Sequence, residues 1–127
     1  MANAIGGIGI AVRDLAKAAD FYKRGLGMEQ KAEINIEHLE EIILSFGRGA
    51  SLILMRYKDG QERSMNEEAQ KICMQFDDVK SVVASIRAAG GEITQEPSPS
   101  AVFDNNLVGF ARDPDGHVIE LIQFAKK

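Results

Sequence analysis

The chain has 127 residues, 45% of them hydrophobic, which suits one domain that builds its own core. Its formal net charge of -4 weighs against nucleic acid as a partner, because nucleic-acid binding usually requires a basic surface. No apolar stretch approaches the roughly 18 residues of a membrane span, and a single cysteine, Cys73, suits a reducing cytoplasm. We therefore expect a cytoplasmic protein without a membrane partner.

The first half of the chain predicts one helix among four strands. Its apolar N-terminus has no basic residues before it, so we interpret residues 5–12 as a strand and not as a secretion signal. Asp14 is placed to cap a helix over residues 15–24, whose apolar positions recur on one helical face. The other predicted strands are 29–36, 41–46 and 51–56, with a Gly-Arg-Gly hairpin turn at 47–49.

The second half repeats this order at a separation of 64 positions. Asp14 then corresponds to Asp78, Gly27 to Gly91, and a second amphipathic helix follows Asp78. Further strands are predicted at 72–76, 92–95, 107–112 and 118–124, with a loop at 97–100 and a turn at 113–116. The chain therefore divides into module one (about 5–57), a polar linker (about 58–70) and module two (about 71–124).

Both modules have the order β-α-β-β-β, and neither is able to bury its sheet alone, so the modules must share a core. A doubly wound parallel sheet is the alternative fold. It requires strands that alternate regularly with helices, and the sequence predicts only two good helices.

Three motifs carry a family resemblance. They are Val-Arg-Asp-Leu at 12–15 with Phe-Tyr at 21–22 and Gly-Leu-Gly-Met at 25–28, Ala-Ala-Gly-Gly at 88–91, and Asp-Pro-Asp-Gly-His-Val-Ile-Glu-Leu at 113–121. In this order and spacing the chain resembles the vicinal-oxygen-chelate superfamily of glyoxalases, bleomycin-resistance proteins and extradiol dioxygenases, over about residues 5–124. The resemblance implies an α+β fold whose two modules pair into a cup-shaped, partly closed eight-stranded sheet. It also implies a homodimer and a small-molecule ligand.

The resemblance further implies a divalent metal held by four inward side chains, two from each module. Counting from the motifs places these positions at Gly7, Leu54, Lys71 and Glu120. Glu120 alone among them is a metal ligand, and one carboxylate does not hold a divalent ion against water. We therefore expect no cofactor, with a divalent metal as the less favoured alternative.

Lys71 and Glu120 are the candidate catalytic residues, because an ammonium beside a carboxylate forms a pair whose protonation burial can tune. A purely structural ion pair is the alternative interpretation. Alternation along the strands adds further pocket candidates on the same face: Gly7, Gly9, Leu52, Leu54, Arg56, Cys73, Gln75, Val118 and Ile122.

The remaining reactive side chains give weaker signals. Cys73 has no histidine placed to activate it, so we interpret it as a small buried hydrophobe more readily than as a nucleophile. His38 lies in a polar stretch and His117 has the opposite strand parity to Glu120, so neither is predicted to bind a metal.

Three functions stay open at this point. The first is a metal-independent lyase or isomerase acting on a carbonyl or oxygenated metabolite, with Glu120 as base and Lys71 holding an oxyanion. The second is a small-molecule binding or sequestration protein of the bleomycin-resistance type. The third is a metal-dependent glyoxalase or dioxygenase.

Overall fold

The computed structural model describes residues 5–63 and 70–124, which form two modules of the same element order. Module one contains β1 (Gly7–Ala11), α1 (Leu15–Asp20), β2 (Glu29–Asn35), β3 (Leu39–Ser45) and β4 (Ser51–Tyr57). Module two contains β5 (Lys71–Gln75), α2 (Val79–Ala88), β6 (Glu92–Ser100), β7 (Asn106–Arg112) and β8 (Val118–Gln123). The predicted β-α-β-β-β repeat is confirmed. Residues 64–69 of the predicted linker lie outside the described residues.

Each module forms its own four-stranded sheet. The strand orders are β1-β4-β3-β2 and β5-β8-β7-β6, and in both sheets the first strand is parallel to the last while the other pairs are antiparallel. The eight strands are therefore divided between two sheets and are not closed into one. Backbone pairing ends at β1 and β5, which are edge strands, so the modules are joined through side chains and turns.

Both helices begin where the sequence predicts. Asp14 accepts a hydrogen bond from the Lys17 N–H at 3.0 Å, and Asp78 accepts one from the Ser81 N–H at 3.3 Å, as helix-capping carboxylates do. The first helix is α-helical only to Asp20 and continues as a π-helical turn over Phe21–Gly25. None of the helices in the described part of the chain is long and apolar enough to cross a membrane.

A single apolar core joins the two modules. The buried side chains of both helices and of the sheet faces beneath them form one cluster, in which Leu44, Leu54, Ile119 and Leu121 are fully buried. Burying one such side chain contributes about 1.5–3 kcal/mol, so this shared core is the main source of stability. The opposite face of each sheet lies outside it.

The loop predicted at 97–100 is wrong, since these residues belong to β6. This strand is the outer edge of its sheet, where a proline's missing N–H costs no ladder hydrogen bond, so Pro97 and Pro99 are tolerated. The pairing with β7 shifts between Gln95 and Ser98. The Gln95 carbonyl oxygen there lies 2.9 Å from where a Cβ on Gly109 would stand, so this bulge requires glycine.

The turn between β7 and β8 docks on the end of β1. The Nε2 atom of His117 lies 2.7 Å from the Ala11 carbonyl oxygen, and the Arg13 N–H donates to Asp115 Oδ1 at 3.1 Å. His117 therefore connects the modules and does not face the predicted pocket. At the other end, the Phe46 ring after β3 meets the Phe76 ring after β5 edge to face at 5.8 Å. Each module's first strand thus ends beside a hairpin of the other module.

A buried hydrogen bond reinforces this docking. The Tyr22 hydroxyl donates to Asp113 Oδ2 at 2.8 Å, and Asp113 Oδ1 accepts from the Asp115 and His117 N–H groups. Burial raises the pKa of Tyr22 well above its ordinary value, and the Asp113 carboxylate raises it further. Burial also raises the pKa of Asp113, against the lowering effect of the hydrogen bond from Tyr22. Tyr22 therefore stays a neutral donor.

We expect Tyr22→Phe to lower the free energy of unfolding by about 1–3 kcal/mol, because a buried carboxylate oxygen of Asp113 loses its donor. Urea denaturation measures this change. The matched control is Tyr57→Phe, since Tyr57 is half-buried and its hydroxyl makes no hydrogen bond within the described residues. The control should change stability by less than about 0.5 kcal/mol. Equal losses in the two variants would contradict the assigned role of the Tyr22–Asp113 bond.

Candidate functional site

The candidate pair lies on the sheet face that points away from α2. The parallel register of β5 and β8 pairs Lys71 with Val118, Cys73 with Glu120 and Gln75 with Ile122, so all six share this face. Lys71 Nζ lies 2.9 Å from Glu120 Oε1. The Glu120 side chain is only 5% exposed, whereas that of Lys71 is 50% exposed. The predicted juxtaposition is therefore present, while the catalytic role of the pair stays a prediction.

Cys73 belongs to the same cluster. It is exposed, so its interpretation as a buried hydrophobe is wrong. Partial desolvation raises the pKa of the Cys73 thiol, and the charge of Glu120 and a hydrogen bond to that carboxylate raise it further, while the Lys71 ammonium lowers it. Glu120 is thus held by two neighbours, an ammonium and a thiol.

β7 adds residues to this face that the sequence analysis did not single out. Its antiparallel register places Phe110 opposite Glu120 and Val108 opposite Ile122. The Phe110 ring centroid lies 5.9 Å from Lys71 Nζ, within range of a cation–π contact. Alternation within the predicted strand at 107–112 was the available signal, because it places both side chains on one face. The face therefore combines an ion pair with apolar side chains.

The module-one half of the predicted pocket has a different composition from the one expected. The parallel register of β1 and β4 pairs Gly9 with Ile53 and Ala11 with Met55. A Cβ on Gly7 would lie 3.0 Å from the Ile53 side chain, and one on Gly9 would lie 3.0 Å from the Met55 side chain. The small residues of β1 therefore lie beside the Ile53 and Met55 side chains on one face of the sheet.

Leu52, Leu54 and Arg56 consequently occupy the opposite face of β4, and their assignment to the pocket with Gly7 and Gly9 is wrong. Leu52 and Leu54 are buried in the shared core, and Arg56 pairs with Glu40 on β3. The error has a physical origin. Residues 52–55 are all apolar, so no polar residue marks which face of the strand is buried.

The donor set does not fit the divalent metal that the resemblance implies. Whether the second position is Leu54 or Ile53, it carries no ligand atom, and neither does Gly7. Lys71 brings a positive charge to the third position, 2.9 Å from Glu120. Across residues 5–63 and 70–124, no group of three or more His, Cys, Asp or Glu side chains is placed to hold a metal.

The metal-ligand positions that the resemblance implies in the two modules, represented by Gly7 and Lys71, also lie toward opposite ends of the contact between the modules. Gly7 pairs with Ser51, which lines the same cavity as Gln75 at the end of β5. Lys71 pairs with Val118, the neighbour of His117, which contacts the end of β1. Gly7 and Lys71 therefore do not converge on one point within a single chain, and the predicted pocket is split into two faces.

Comparison with known proteins gives consistent results. The sequence model of the Glyoxalase/Bleomycin resistance protein/Dioxygenase superfamily matches residues 4–121. The chain is 30% identical over 121 residues to a lactoylglutathione lyase of Haemophilus influenzae, covering 90% of this chain and 87% of that protein. It is 31% identical over 117 residues to a lactoylglutathione lyase of Arabidopsis thaliana, covering 88% of this chain but only 41% of the relative.

Structural similarity leads to the same group of proteins. The crystal structure of glyoxalase I from Zea mays superposes with a TM-score of 0.85 at 26% sequence identity. The match covers 98% of this chain and 46% of the maize chain. The chain thus spans less than half the length of the plant relatives it matches.

The cluster of Lys71, Glu120 and Cys73 predicts that removing either charge changes the reactivity of the Cys73 thiol, in opposite directions. Glu120→Gln removes the charge that raises the pKa of Cys73, so alkylation by iodoacetamide at a fixed, mildly alkaline pH should become several-fold faster. Lys71→Met removes the charge that lowers this pKa, so alkylation should become slower. Lys31→Met, on β2, is the control and should leave the rate unchanged. Changes of the same sign in both cluster variants would show that the three groups are not coupled as described.

Proposed function

The chain belongs to the Glyoxalase/Bleomycin resistance protein/Dioxygenase superfamily, and we propose that it binds a small oxygenated organic molecule without using a metal. The observation that carries this proposal is the Lys71–Glu120 pair, in which an ammonium supplies the positive charge beside the retained carboxylate. The proposed binding face is formed by β5, β7 and β8.

Lys71 is suited to hold a ligand oxygen. One ammonium hydrogen is directed at Glu120, and because half of the side chain is exposed, the other two remain available to a carbonyl or carboxylate acceptor. The neighbouring Phe110, Val118 and Ile122 offer apolar surface for the body of such a ligand. This combination of apolar surface with a few directed polar groups is typical of small-molecule sites.

Binding accounts for the retained carboxylate better than metal-dependent lyase chemistry does. The chain is similar to lactoylglutathione lyases of Haemophilus and Arabidopsis, but a lyase or dioxygenase that relies on a divalent ion requires donors that Gly7, Ile53 and Lys71 do not provide. We therefore place the metal-dependent glyoxalase or dioxygenase reaction last among the three alternatives.

A metal-independent lyase or isomerase is the second candidate, because the Glu120 carboxylate is buried next to an ammonium. In that case Glu120 abstracts a proton adjacent to a carbonyl, and the Lys71 ammonium stabilises the oxyanion that forms. The relationship at about 30% identity to lactoylglutathione lyases supports this candidate. Its weakness is that Lys71 and Cys73 already engage the carboxylate.

We further propose a homodimer in the cytoplasm. Glyoxalase-fold proteins often form dimers, and both sheet faces outside the shared core remain uncovered in one chain. Ile34 on β2 is 38% exposed and Ile36 just after it is 44% exposed, although both are apolar. A second copy of the chain would cover these exposed apolar side chains.

Metal content tests the first part of the proposal. Elemental mass spectrometry of the untagged protein should detect far less than one transition-metal ion per chain, and adding Zn²⁺ or Ni²⁺ should produce no lactoylglutathione lyase activity. The Haemophilus enzyme, assayed in parallel, is the positive control. A near-stoichiometric metal together with activity that is lost on chelation would restore the metal-dependent alternative.

Ligand binding tests the second part and separates the two candidates. Phenylpyruvate, which carries vicinal oxygens on an apolar ring, is a suitable probe for titration by NMR. Lys71→Met should weaken its binding about tenfold or more, since a charge-assisted hydrogen bond is lost. Glu120→Gln should preserve binding, and if phenylpyruvate tautomerisation is catalysed, the variant should abolish only the turnover. Unchanged affinity in Lys71→Met would disprove the assigned binding face.

A further inference from the structure

A cavity of about 650 Å³ lies between the modules, beside the hairpin that joins β3 to β4. Its apolar walls come from both modules and include Ile8, Leu52, Ile72 and Met74, together with the Phe46–Phe76 ring pair. This volume lies within the range of about 300–1,000 Å³ that small-molecule sites occupy. Neither Lys71 nor Glu120 lines the cavity, so it is separate from that ion pair, although Cys73 borders both.

The internal repeat shows what is unusual about this cavity. A separation of 64 positions relates Arg13, after β1, to Asp77, after β5. The hairpin between β7 and β8 lies beside Arg13, and the hairpin between β3 and β4 lines the cavity together with Asp77. At one end of the contact the Arg13 backbone N–H donates to Asp115 Oδ1 at 3.1 Å, and the Arg13 guanidinium lies 3.4 Å from the same oxygen, so strand end and hairpin are in contact. At the other end the charges are exchanged, with Arg48 on the hairpin and Asp77 after the strand.

Arg48 and Asp77, the corresponding pair at the cavity, do not form an ion pair with each other. Arg48 and Asp77 both line the cavity, both are exposed, and within the described residues neither makes an ion pair or a side-chain hydrogen bond. The space between the modules is therefore open beside Arg48 and Asp77, whereas Arg13 and Asp115 are in contact at the other end. Two charges of opposite sign, unpaired within the described residues, therefore lie beside a cavity with both apolar and polar walls.

We propose that this cavity binds a small zwitterion with an apolar body, of the size of a hydrophobic amino acid. A guanidinium is matched to a carboxylate by its two parallel donors, so Arg48 would take the acid group. Asp77 would accept from the ammonium group, and the apolar body would pack against Phe46 and Phe76. A ligand with only one charge is attracted by one of these residues and repelled by the other, so the zwitterion is favoured.

The proposal does not depend on the function assigned to Lys71. L-phenylalanine is the probe, titrated by isothermal calorimetry into the unmodified protein, with 3-phenylpropionate and phenethylamine as analogues that lack one charge each. We expect saturable binding of phenylalanine and binding of each analogue that is about tenfold weaker or more. Arg48→Gln and Asp77→Asn should each weaken phenylalanine binding by a similar factor. Lys31→Gln and Glu33→Gln on β2 are charge-matched controls and should not change it.

A second measurement needs no substitution. Cys73 lines this cavity and is the one cysteine in the sequence, so bound phenylalanine should slow its alkylation by iodoacetamide. Protection that saturates at the same concentration as the calorimetric titration supports the proposal. The absence of saturable phenylalanine binding, equal binding of all three probes, or unchanged affinity in Arg48→Gln would each overturn it.

Discussion

The shared core between the modules is the constraint on which the rest of the structure depends. A four-stranded sheet with one helix cannot bury enough apolar surface alone. The side of each module that carries its helix is therefore packed against the other module in one shared core. Asp113 fixes the arrangement, because its two oxygens accept hydrogen bonds from Tyr22 of module one and from the backbone of its own turn. Once the helix sides are committed to this core, the opposite sheet faces are the surfaces left for ligands.

A carboxylate on such a face must be compensated, and this requirement explains the Lys71–Glu120 pair. Glu120 lies almost wholly buried between β5 and β7, where an uncompensated negative charge costs several kcal/mol. A divalent metal would supply the charge and add open coordination positions. The Lys71 ammonium supplies the charge alone, so any recognition on this face depends on its remaining hydrogen-bond donors and on apolar contact with residues such as Phe110.

The sequence predicts the fold well because the decisive signals are local and repeated. Asp14 and Asp78 cap their helices directly. The Asp-Pro-Asp-Gly turn has local hydrogen bonds of its own, from the Asp115 and His117 N–H groups to Asp113 Oδ1. In module two, charge or polarity marks the outer face of the strands at Lys71, Gln75 and Glu120, so the prediction of which side chains share that face is right. In module one the apolar residues 52–55 fit either face, and only packing against α1 decides that Leu54 is buried.

Local sequence patterns do not predict features that depend on strand position in the sheet or on contacts between the modules. Pro97 and Pro99 indicate a loop until the strand is known to be an edge. The repeat relates Arg13 to Asp77, yet the sequence does not show that one charge finds a partner across the modules and the other does not. At one end the turn that carries Asp115 lies close enough to β1 for Arg13 to bind. At the other end the contact between hairpin and strand end is made by the Phe46 and Phe76 rings, while Arg48 and Asp77 make no ion pair within the described residues. The near-symmetric fold therefore has one end where Arg13 and Asp115 are in contact and one end where, within the described residues, Arg48 and Asp77 make no ion pair beside the cavity.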